Sequence, residues 1–575
     1  MMPALKRRYW IMATITIAAV LLGIILYFVL VPEDAPITRK KPHIIIIMAD
    51  DLGRNDVGFH GSNQIPTPNI DALAYNGIIL DKFYTQYACT PSRAALLTGN
   101  YPLRYGIHGS PIRAGQNRSL PEDVTIMPEH LKKLGYKTHL VGKWHLGAAY
   151  KKSTPLRRGF DTHFGYWHGF VGYFDYTAIY ELTNETNAKG LDVHDGFQPV
   201  WSAQGKYATE LFTEKAIEVI DGHDGDEPLF LFLAHLAPHT GTDGTELGVP
   251  NSTLSDIKYE YIKDPRRRLY ADVVNLMDES VGKVVEKLSD KNMLQNSIIL
   301  FLSDNGAQTV GVYENSGSNW PLRGLKLTEF EGGVRAAAAI FSPLFEKSGY
   351  VNKELIHLTD LLPTFFAAAG GDPETLGTID GINQWDTLSK NLSTNRTEVL
   401  LNINEVENAS AIITTNGRYK FLQGTYNSGF YDHHYGDSGR GPEVPPFSVN
   451  TILESSTYEA IRGIVAAPLT NDKVKELRAQ TDLSWCRNDN ETYPMDCRKG
   501  CLFNLDEDPC EITNIIETEK EIEGKLRGRL DDFKKVMVPQ PEEVFDEASN
   551  PIFYNNTWCT WLDDDLCFKT PKLQK

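Results

Sequence analysis

The stretch that decides the fold is HIIIIMADDLG, from His43 to Gly53. Its centre is a continuous apolar, β-branched run, which is typical of a strand buried on both faces of a sheet. Two carboxylates, Asp50 and Asp51, follow the run directly. A strand of this kind predicts a largely parallel sheet with acidic groups at the carboxyl end of one strand.

Three later stretches repeat this pattern, and helical sequences separate them. They are YKTHLVGKWHLG, PLFLFLAHLAPH and SIILFLSDNG, and intervening segments such as YATELFTEKAIEVID carry apolar residues at helical spacing. Alternating strands and helices indicate an α/β fold. We predict a large, mainly parallel, mixed sheet covered by helices in residues 41–410. Shorter strands and turns beyond this point predict a smaller C-terminal α+β domain in residues 411–575.

Each of the four strand-like runs ends in residues that can carry chemistry. In open α/β sheets the ligand site lies outside the carboxyl ends of the strands, so residues far apart in sequence can converge on one cleft. The residues concerned are Asp50, Asp51, Lys143, His145, His239, Asp304 and Asn305.

The acidic pairs at two strand ends offer a set of hard oxygen ligands. Asp50 and Asp51 with Asp304 and Asn305 would suit Ca²⁺ or Mg²⁺ and would suit zinc poorly. Asp-Asp and Asp-Asn-Gly are also ordinary turn sequences, which is the alternative for either pair alone. Their joint position at strand ends of one predicted sheet favours a metal site.

Several cationic side chains could share that cleft. Each of them alone is more often a surface charge or a structural histidine than a catalytic group. Together with a divalent metal they would bind a tetrahedral oxyanion, and sulfate and phosphate both qualify. These side chains are Arg93, Lys143, His145, His239 and Lys326.

Cys89 stands apart from the other cysteines, which all lie between Cys486 and Cys567. A disulfide is therefore a poor explanation for it. A thiolate could attack phosphorus, but cysteine phosphatases place five residues between cysteine and arginine, whereas only TPS separates Cys89 from Arg93.

The segment CTPSRAALLTG, residues 89–99, resembles the signature of the sulfatase family. The resemblance covers most of residues 42–425, through PHIIIIMADDLGRNDVGFHG, GKWHLG, SDNGAQ, NWPLRGLK and EGGVR, and within the family it is strongest to arylsulfatase B and the related arylsulfatases I and J. It implies an alkaline-phosphatase-like sulfatase fold, with the catalytic domain in residues 41–410. It also implies that a formylglycine-generating enzyme reads Cys89, Pro91 and Arg93 and oxidises Cys89 to formylglycine.

The resemblance further implies a role for each candidate site residue. One Ca²⁺ per chain would be held by Asp50, Asp51, Asp304, Asn305 and the modified Cys89. Arg93 would steady the formylglycine, Lys143 and Lys326 would bind sulfate oxygens, His145 would contact the formylglycine hydroxyls, and His239 would contact the ester oxygen. Trp320 and the loop GYWHGFVGYFDY would line the substrate mouth, unless the aromatic residues of that loop are core.

The implied activity is sulfuric ester hydrolysis. The implied substrates are glycosaminoglycan ends of the N-acetylgalactosamine 4-sulfate type, or small aryl or metabolite sulfates. Two alternatives stay open: a phosphatase or phosphodiesterase of the same fold, and a catalytically silent, membrane-anchored glycan-binding protein. The net charge of −18 argues against a nucleic-acid partner.

The N-terminus predicts entry into the secretory pathway. An uncharged apolar run from Trp10 to Val31 follows Lys6, Arg7 and Arg8, so we predict a short cytosolic tail, a transmembrane signal anchor and a linker within residues 1–40. The catalytic domain would then be luminal or extracellular, or lysosomal or secreted if the run is cleaved as a signal peptide. Six late cysteines would suit three disulfides. Glycosylation sequons begin at Asn117, Asn184, Asn251, Asn391, Asn395, Asn408, Asn490 and Asn555.

Overall fold

The strand predicted from HIIIIMADDLG lies in the middle of a large mixed sheet. The computed structural model describes residues 10, 12, 14, 16, 40–181, 187–242 and 247–563. Within these ranges ten strands form this sheet, in the order β13-β2-β12-β11-β1-β10-β4-β5-β8-β9. The central strands β11, β1, β10, β4 and β5 run parallel to one another, whereas β12, β8 and β9 join on either side as antiparallel strands.

The strands of the described ranges are numbered in chain order. They are β1 His43–Ala49, β2 Ile78–Leu80, β3 Phe83–Tyr84, β4 Lys137–Lys143, β5 Thr162–Tyr166, β6 Thr177–Glu181, β7 Asn187–Leu191, β8 His194–Asp195, β9 Gln198–Pro199, β10 Leu229–Ala234, β11 Ser297–Ser303, β12 Ala338–Phe341, β13 Tyr350–Asn352, β14 Ile356–His357, β15 Val399–Asn404, β16 Ala409–Thr414, β17 Tyr419–Gln423 and β18 Cys501–Asn504.

The α-helices between Pro42 and Asp563 are numbered in the same way. They are α1 Pro68–Asn76, α2 Cys89–Thr98, α3 Met127–Lys133, α4 Ala208–Gly222, α5 Ser252–Lys258, α6 Pro265–Asp290, α7 Glu331–Val334, α8 Leu361–Ala368, α9 Trp385–Lys390, α10 Val449–Leu453, α11 Ser456–Ile461, α12 Asn471–Thr481 and α13 Lys520–Lys534.

The two faces of β1 belong to two different hydrophobic cores. Ile45 and Ile47 pack into the core that includes α1, α4 and α6. Ile44 and Ile46 pack into the core that includes α2, α3 and α8. Because successive side chains of a strand point to opposite faces, an uninterrupted apolar run is what a doubly covered strand requires. The predicted sheet covered by helices is confirmed.

A second, smaller sheet is antiparallel and lies late in the chain. Its order is β15-β16-β17-β18, and α13 packs on it through Leu526, Leu530 and Phe533. The predicted domain boundary at residue 410 falls inside β16, so this sheet takes strands from both sides of the boundary. The division of the chain at residue 410 stays a prediction.

Disulfide bonds cross-link the region around this sheet. Cys486 is bonded to Cys510 and Cys497 to Cys501, while Cys559 is also disulfide-bonded. Cys567 lies outside the described residues. Cys89 is a free, buried thiol, so it takes no part in the disulfides.

Contacts divide the chain into two units, residues 1–41 and residues 42–575. Both sheets belong to the second unit. Most of the predicted membrane anchor, Trp10 to Val31, lies outside the described residues. Among those that are described, none belongs to a helix with the length and apolar character needed to cross a membrane.

Candidate active site

The carboxyl ends of β1, β4, β10 and β11 bring the sequence-predicted residues together. β1 lies between β10 and β11, and β4 is next to β10. The backbone amide of Asp50 donates to the Ala237 carbonyl, just beyond β10, at 3.0 Å, and the amide of Asp304 donates to the Ala49 carbonyl at 3.1 Å. The site therefore lies at the carboxyl edge of the parallel strands, where an open α/β sheet places its ligands.

Three buried carboxylates in this site each meet one buried cation. Lys143 Nζ lies 2.6 Å from Asp50 Oδ2, Lys326 Nζ lies 2.8 Å from Asp51 Oδ2, and Arg93 Nη2 lies 3.0 Å from Asp304 Oδ2. We call these six side chains the catalytic cluster. Removing the cation from such a pair would leave a buried charge uncompensated, which typically costs about 3–5 kcal/mol.

The pairing changes the protonation of the two strand-end aspartates in opposite directions. Burial works to raise the pKa of Asp50, but the charges of Lys143 and His239 outweigh it, and the pKa of that carboxyl falls below its ordinary value. Burial, with the neighbouring Asp50, raises the pKa of Asp304. Lys143 and His239 therefore favour the ionised form of Asp50, whereas burial acts against the ionisation of Asp304, which is paired with Arg93.

Two oxygen atoms in this site have no hydrogen-bond partner among the described residues. Asn305 uses its amide nitrogen to donate to Asp51 Oδ1 at 2.7 Å. Asn305 Oδ1 and Asp50 Oδ1 are both buried and have no hydrogen-bond partner among the described residues. Buried polar atoms are rarely left without partners, and carboxylate and amide oxygens are the ligands of hard divalent cations. The residues present therefore fit a cation such as Ca²⁺.

His239 lies closer to the acidic pair than the sequence predicts. Asp50, Asp51 and His239 offer ligand atoms that all lie within 4.8 Å of one another. His239 Nδ1 is 2.7 Å from the Thr240 carbonyl, which can only accept, so Nδ1 carries a hydrogen. Nε2 then faces Asp51 Oδ2 at 3.4 Å. These three residues form a possible metal-binding group, and the predicted set with Asp304, Asn305 and Cys89 stays a prediction.

Cys89 is the first residue of α2, and Arg93 follows one turn later on the same side of that helix. Burial raises the pKa of the Cys89 thiol, although Lys143 and Lys326 act in the opposite direction. The charges that act on this thiol are those of the catalytic cluster, so Cys89 lies among them. A buried, protonated thiol is a poor nucleophile.

His145 is held in one orientation beside Cys89. Its backbone is in the left-handed region, with φ at 64°, a conformation that non-glycine residues adopt where the surrounding structure enforces it. Nε2 donates to the Ile112 carbonyl at 2.8 Å, and Nδ1 has no partner among the described residues. Burial, and then Lys143, lower the pKa of His145 well below its ordinary value. The ring is neutral and presents an unprotonated Nδ1.

Thr90 is a contributor that the sequence did not single out. Its hydroxyl donates to the His145 carbonyl at 3.2 Å and accepts from the Ile112 amide at 3.1 Å. The hydroxyl therefore bridges the backbones of His145 and Ile112, and the carbonyl of Ile112 accepts the hydrogen bond that orients the His145 ring. Its place inside the CTPSR segment is the one signal that could have identified it.

The aromatic residues predicted to line the entrance to the substrate site differ in how deeply they are buried. Trp320 is buried, and its indole donates to Asp489 Oδ1 at 2.8 Å. In the aromatic loop, Trp167 and Tyr173 are core residues, whereas Phe170 is half-buried and stacks on the ring of His239. Core packing thus accounts for part of this loop.

Comparisons with known proteins show which family the chain matches. The Sulfatase family model matches residues 42–371. Arylsulfatase J of Mus musculus is 34% identical over 536 residues, which cover 93% of this chain and 82% of that protein. N-acetylgalactosamine-6-sulfatase of Homo sapiens is 32% identical over 359 residues, which cover 61% of this chain and 66% of that protein.

A solved structure extends the similarity to the whole fold. The crystal structure of Ps i-CgsB superposes with a TM-score of 0.66 at 26% identity, and the match covers 90% of this chain and 97% of that chain. The predicted resemblance and the predicted enzyme class are therefore confirmed. The chain belongs to the sulfatase family, whose members hydrolyse sulfuric esters.

Proposed function

We propose that this protein hydrolyses sulfate esters with a formylglycine made from Cys89 and one bound Ca²⁺. The observation that carries the proposal is the surroundings of Cys89. The thiol is buried among Lys143, Lys326 and Arg93, and its pKa is raised mainly by burial. A protonated thiol there would be a poor nucleophile, whereas an oxidised Cys89 would place an oxygen nucleophile among cations.

The two groups that the chain would have to acquire have distinct contributions. The hydrated aldehyde supplies a hydroxyl nucleophile, and Ca²⁺ supplies positive charge that favours its ionised form. Asp50, Asp51, Asp304, Asn305 and the modified Cys89 would hold the ion. The partnerless oxygens of Asp50 and Asn305 support this assignment.

The lysines of the catalytic cluster are suited to binding the sulfuryl group. Lys143 ends β4 and Lys326 lies in the loop before α7, and both are buried near Cys89. In a buried site a fixed ammonium stabilises developing negative charge much more than it would in water. We assign the sulfate oxygens to these two lysines, and we assign to Arg93 the task of holding the modified Cys89.

The two histidines can move protons at defined atoms. His239 has Nδ1 committed to the Thr240 carbonyl, so Nε2 is the atom that can meet the ester oxygen. Burial lowers the pKa of this ring, and the Asp51 carboxylate acts in the opposite direction. Because Nδ1 already carries a hydrogen, Nε2 can donate only in the imidazolium form, and we assign to the Nε2 proton of that form the neutralisation of the leaving oxygen. His145 has Nε2 committed to Ile112, so its unprotonated Nδ1 is the atom that can accept a proton beside Cys89. The two rings therefore divide acid and base roles.

The names of the relatives support sulfated sugars as substrates. The human relative is named for sulfated N-acetylgalactosamine, and Ps i-CgsB has also been solved in complex with k-i-k-neocarrahexaose. The name of the human relative places the sulfate at the 6-position, so the names support a sulfated sugar without selecting the position of the sulfate. From the resemblance to arylsulfatase B we infer that this chain acts on glycosaminoglycan ends of the N-acetylgalactosamine 4-sulfate type or on small aryl or metabolite sulfates.

Maturation in the secretory pathway fits the chain's covalent features. Every sequon asparagine within the described ranges is exposed to solvent: Asn117, Asn251, Asn391, Asn395, Asn408, Asn490 and Asn555. Disulfides join four late cysteines in two pairs, as expected in an oxidising compartment. We infer that the chain meets the formylglycine-generating enzyme there, before it folds and buries Cys89.

Sulfate release measures the proposed activity directly. Protein secreted from a eukaryotic host should release sulfate from 4-nitrophenyl sulfate or from N-acetylgalactosamine 4-sulfate, and Cys89→Ala should abolish the release because it removes the nucleophile. 4-Nitrophenyl phosphate is the control. Faster turnover of the phosphate would favour the phosphatase alternative, and sulfate release that survives in Cys89→Ala would refute the assigned nucleophile. Binding of a sulfated glycan without hydrolysis would favour the silent binding protein.

A further inference from the structure

A half-exposed aromatic pair lies against the histidine that we assign to the ester oxygen. The ring of Phe170 stacks on the ring of His239, with centroids 4.7 Å apart and an interplanar angle of 28°. The ring of Tyr313 meets Phe170 edge to face, with centroids 4.8 Å apart and an interplanar angle of 61°. The three rings form a continuous surface that begins at His239.

This surface begins at the edge of the hydrophobic core, against which Phe170 packs, and continues into residues that are exposed to solvent. Phe170 and Tyr313 are only half-buried, and Val312, next to Tyr313, is 68% exposed. Thr240 and Glu314, the chain neighbours of His239 and Tyr313, line a cavity of about 350 Å³. Phe170 and Tyr313 are not among the residues that line this cavity, so the surface open to a ligand is the exposed part of the two rings themselves.

The orientation of His239 fixes which part of a substrate would meet these rings. The edge of the imidazole that carries Nε2 faces Asp51, and one face of the ring is covered by Phe170. The sulfuryl group is assigned to Lys143 and Lys326, on the Asp50 and Asp51 side. The alcohol that leaves with the ester oxygen must then extend from His239 in another direction, and Phe170 is the nearest ring in contact with that histidine.

We propose that Phe170 and Tyr313 form the wall of a leaving-group subsite, an inference that rests on the proposed function. The wall selects sulfate esters whose alcohol presents a flat apolar face. Two sources offer such a face: an aryl ring, and the C–H face of a pyranose. Aromatic side chains stack on flat partners at centroid distances of roughly 4.5–7 Å, the range in which Phe170 already contacts His239 and Tyr313.

A different role for Phe170 would give a different pattern of losses. If Phe170 served only to position His239, its removal would slow every substrate alike, and Tyr313 would not matter, because no ring contact between Tyr313 and His239 occurs among the described residues. If the two rings form a wall, both should matter, and they should matter only for ligands that have a leaving group.

The test compares Phe170→Leu and Tyr313→Leu with the wild type on 4-nitrophenyl sulfate and on N-acetylgalactosamine 4-sulfate. Each variant should lose about 2- to 13-fold in kcat/KM on at least one substrate, which is the range that an aromatic contact contributes. The inhibition constant of inorganic sulfate, which has no leaving group, should not change. The substrate with the larger loss identifies whether the wall serves aryl or sugar esters. Rates are expressed per formylglycine, which is measured by mass spectrometry.

Phe174→Leu is the matched control, because Phe174 is a half-buried aromatic residue of the same loop that contacts Tyr207 rather than His239. It should match the wild type. Wild-type values for both Leu variants at Phe170 and Tyr313, or a sulfate inhibition constant that rises in step with the losses, would overturn the wall. If the wild-type enzyme releases no sulfate from either ester, it is the proposed function that fails.

Discussion

Two buried clusters in this molecule contain the same number of acidic and basic side chains, but we assign one to catalysis and the other to stability. The catalytic cluster contains Asp50, Asp51, Asp304, Arg93, Lys143 and Lys326. A second cluster, which we call the structural ion network, contains Asp81, Glu331, Glu511, Arg54, Arg335 and Lys420. Each has three carboxylates against three cations, and each of these side chains is buried. Charge balance and burial alone therefore do not distinguish a catalytic site from a structural one.

Each carboxylate of the structural ion network contacts a cation or a hydrogen-bond donor through both of its oxygens, although Glu511 Oε1 meets Lys420 without a hydrogen bond. Asp81 lies 2.6 Å from Arg54 and 2.9 Å from Arg335 through its two oxygens. Lys420 Nζ lies 3.1 Å from Glu331 Oε1 and 2.8 Å from Glu511 Oε1. The remaining oxygens of these glutamates accept from the Tyr84 hydroxyl and from the Glu331 amide.

The site around the catalytic cluster leaves ligand atoms open. Asp50 Oδ1, Asn305 Oδ1 and His145 Nδ1 are buried and have no hydrogen-bond partner among the described residues. Leaving such atoms unpaired costs stability, which a protein recovers when a ligand binds. Buried atoms without partners among the described residues also occur away from this site, for example the Tyr75 hydroxyl. The difference therefore teaches that such atoms indicate a metal and substrate site only where they lie together with buried charges at the strand ends.

The largest effect should come from neutralising the Asp50 carboxylate, which carries one of the open ligand atoms. Asp50→Asn keeps the shape of the side chain and removes the charge that faces Lys143 and the proposed ion. We expect kcat/KM to fall roughly 10⁴-fold, as when one carboxylate is lost from a catalytic unit, because sulfate release then lacks both the metal and a correctly placed lysine. The measurement is sulfate release, with metal content determined on the same sample. Activity close to the wild-type value would show that the charge of Asp50 has no role, because asparagine keeps one oxygen at this position.

The structural ion network should respond in stability and not in activity. Lys420→Met leaves Glu331 and Glu511 buried without their shared cation, which should lower the free energy of unfolding by about 3–5 kcal/mol. The rate per formylglycine should stay at the wild-type level. Denaturant unfolding gives the first value and kinetics the second.

Lys82→Met provides the matched control for Lys420→Met, because Lys82 pairs with the more exposed Asp506 at 2.7 Å. This pair should contribute about 0–1 kcal/mol. An equal loss of stability in the two variants, or a fall in catalytic rate in Lys420→Met, would remove the distinction between the clusters.

A smaller effect is expected at Thr90, which acts through the residues that orient His145. Thr90→Val removes one hydroxyl that makes two hydrogen bonds, and we expect kcat to fall about tenfold, the equivalent of roughly 1.4 kcal/mol. Thr90→Ser should restore most of the rate, and KM should change little in either variant. If Thr90→Val and Thr90→Ser behave alike once rates are expressed per formylglycine, the hydroxyl does not support the ring.

The central sheet and the gathering of the site residues could be predicted because both follow from local patterns. The apolar run before Asp50 requires cover on both faces, and the parallel arrangement then places Lys143, His239 and Asp304 at the same edge as Asp50. Cys89 and Arg93 could be read from a short signature. In each case the information lies within a few consecutive residues.

The parts that could not be predicted depend on partners far away in the chain. VLLNIN in β15 has an apolar run like that of the central strands, and nothing local shows that it pairs with β16 in a different sheet. Lys420 gives no sign in sequence that it joins Glu331 and Glu511. The proximity of His239 to Asp51 depends on the path of the chain after β10, which no spacing encodes.

The mass of the peptide that contains Cys89 tests the central claim most directly. In protein matured in the secretory pathway of a eukaryotic host, conversion of the thiol to formylglycine predicts a mass about 18 Da below that of the unmodified peptide. The Cys89→Ala variant supplies the unmodifiable reference. An unmodified thiol at Cys89 in protein that releases sulfate would contradict the account.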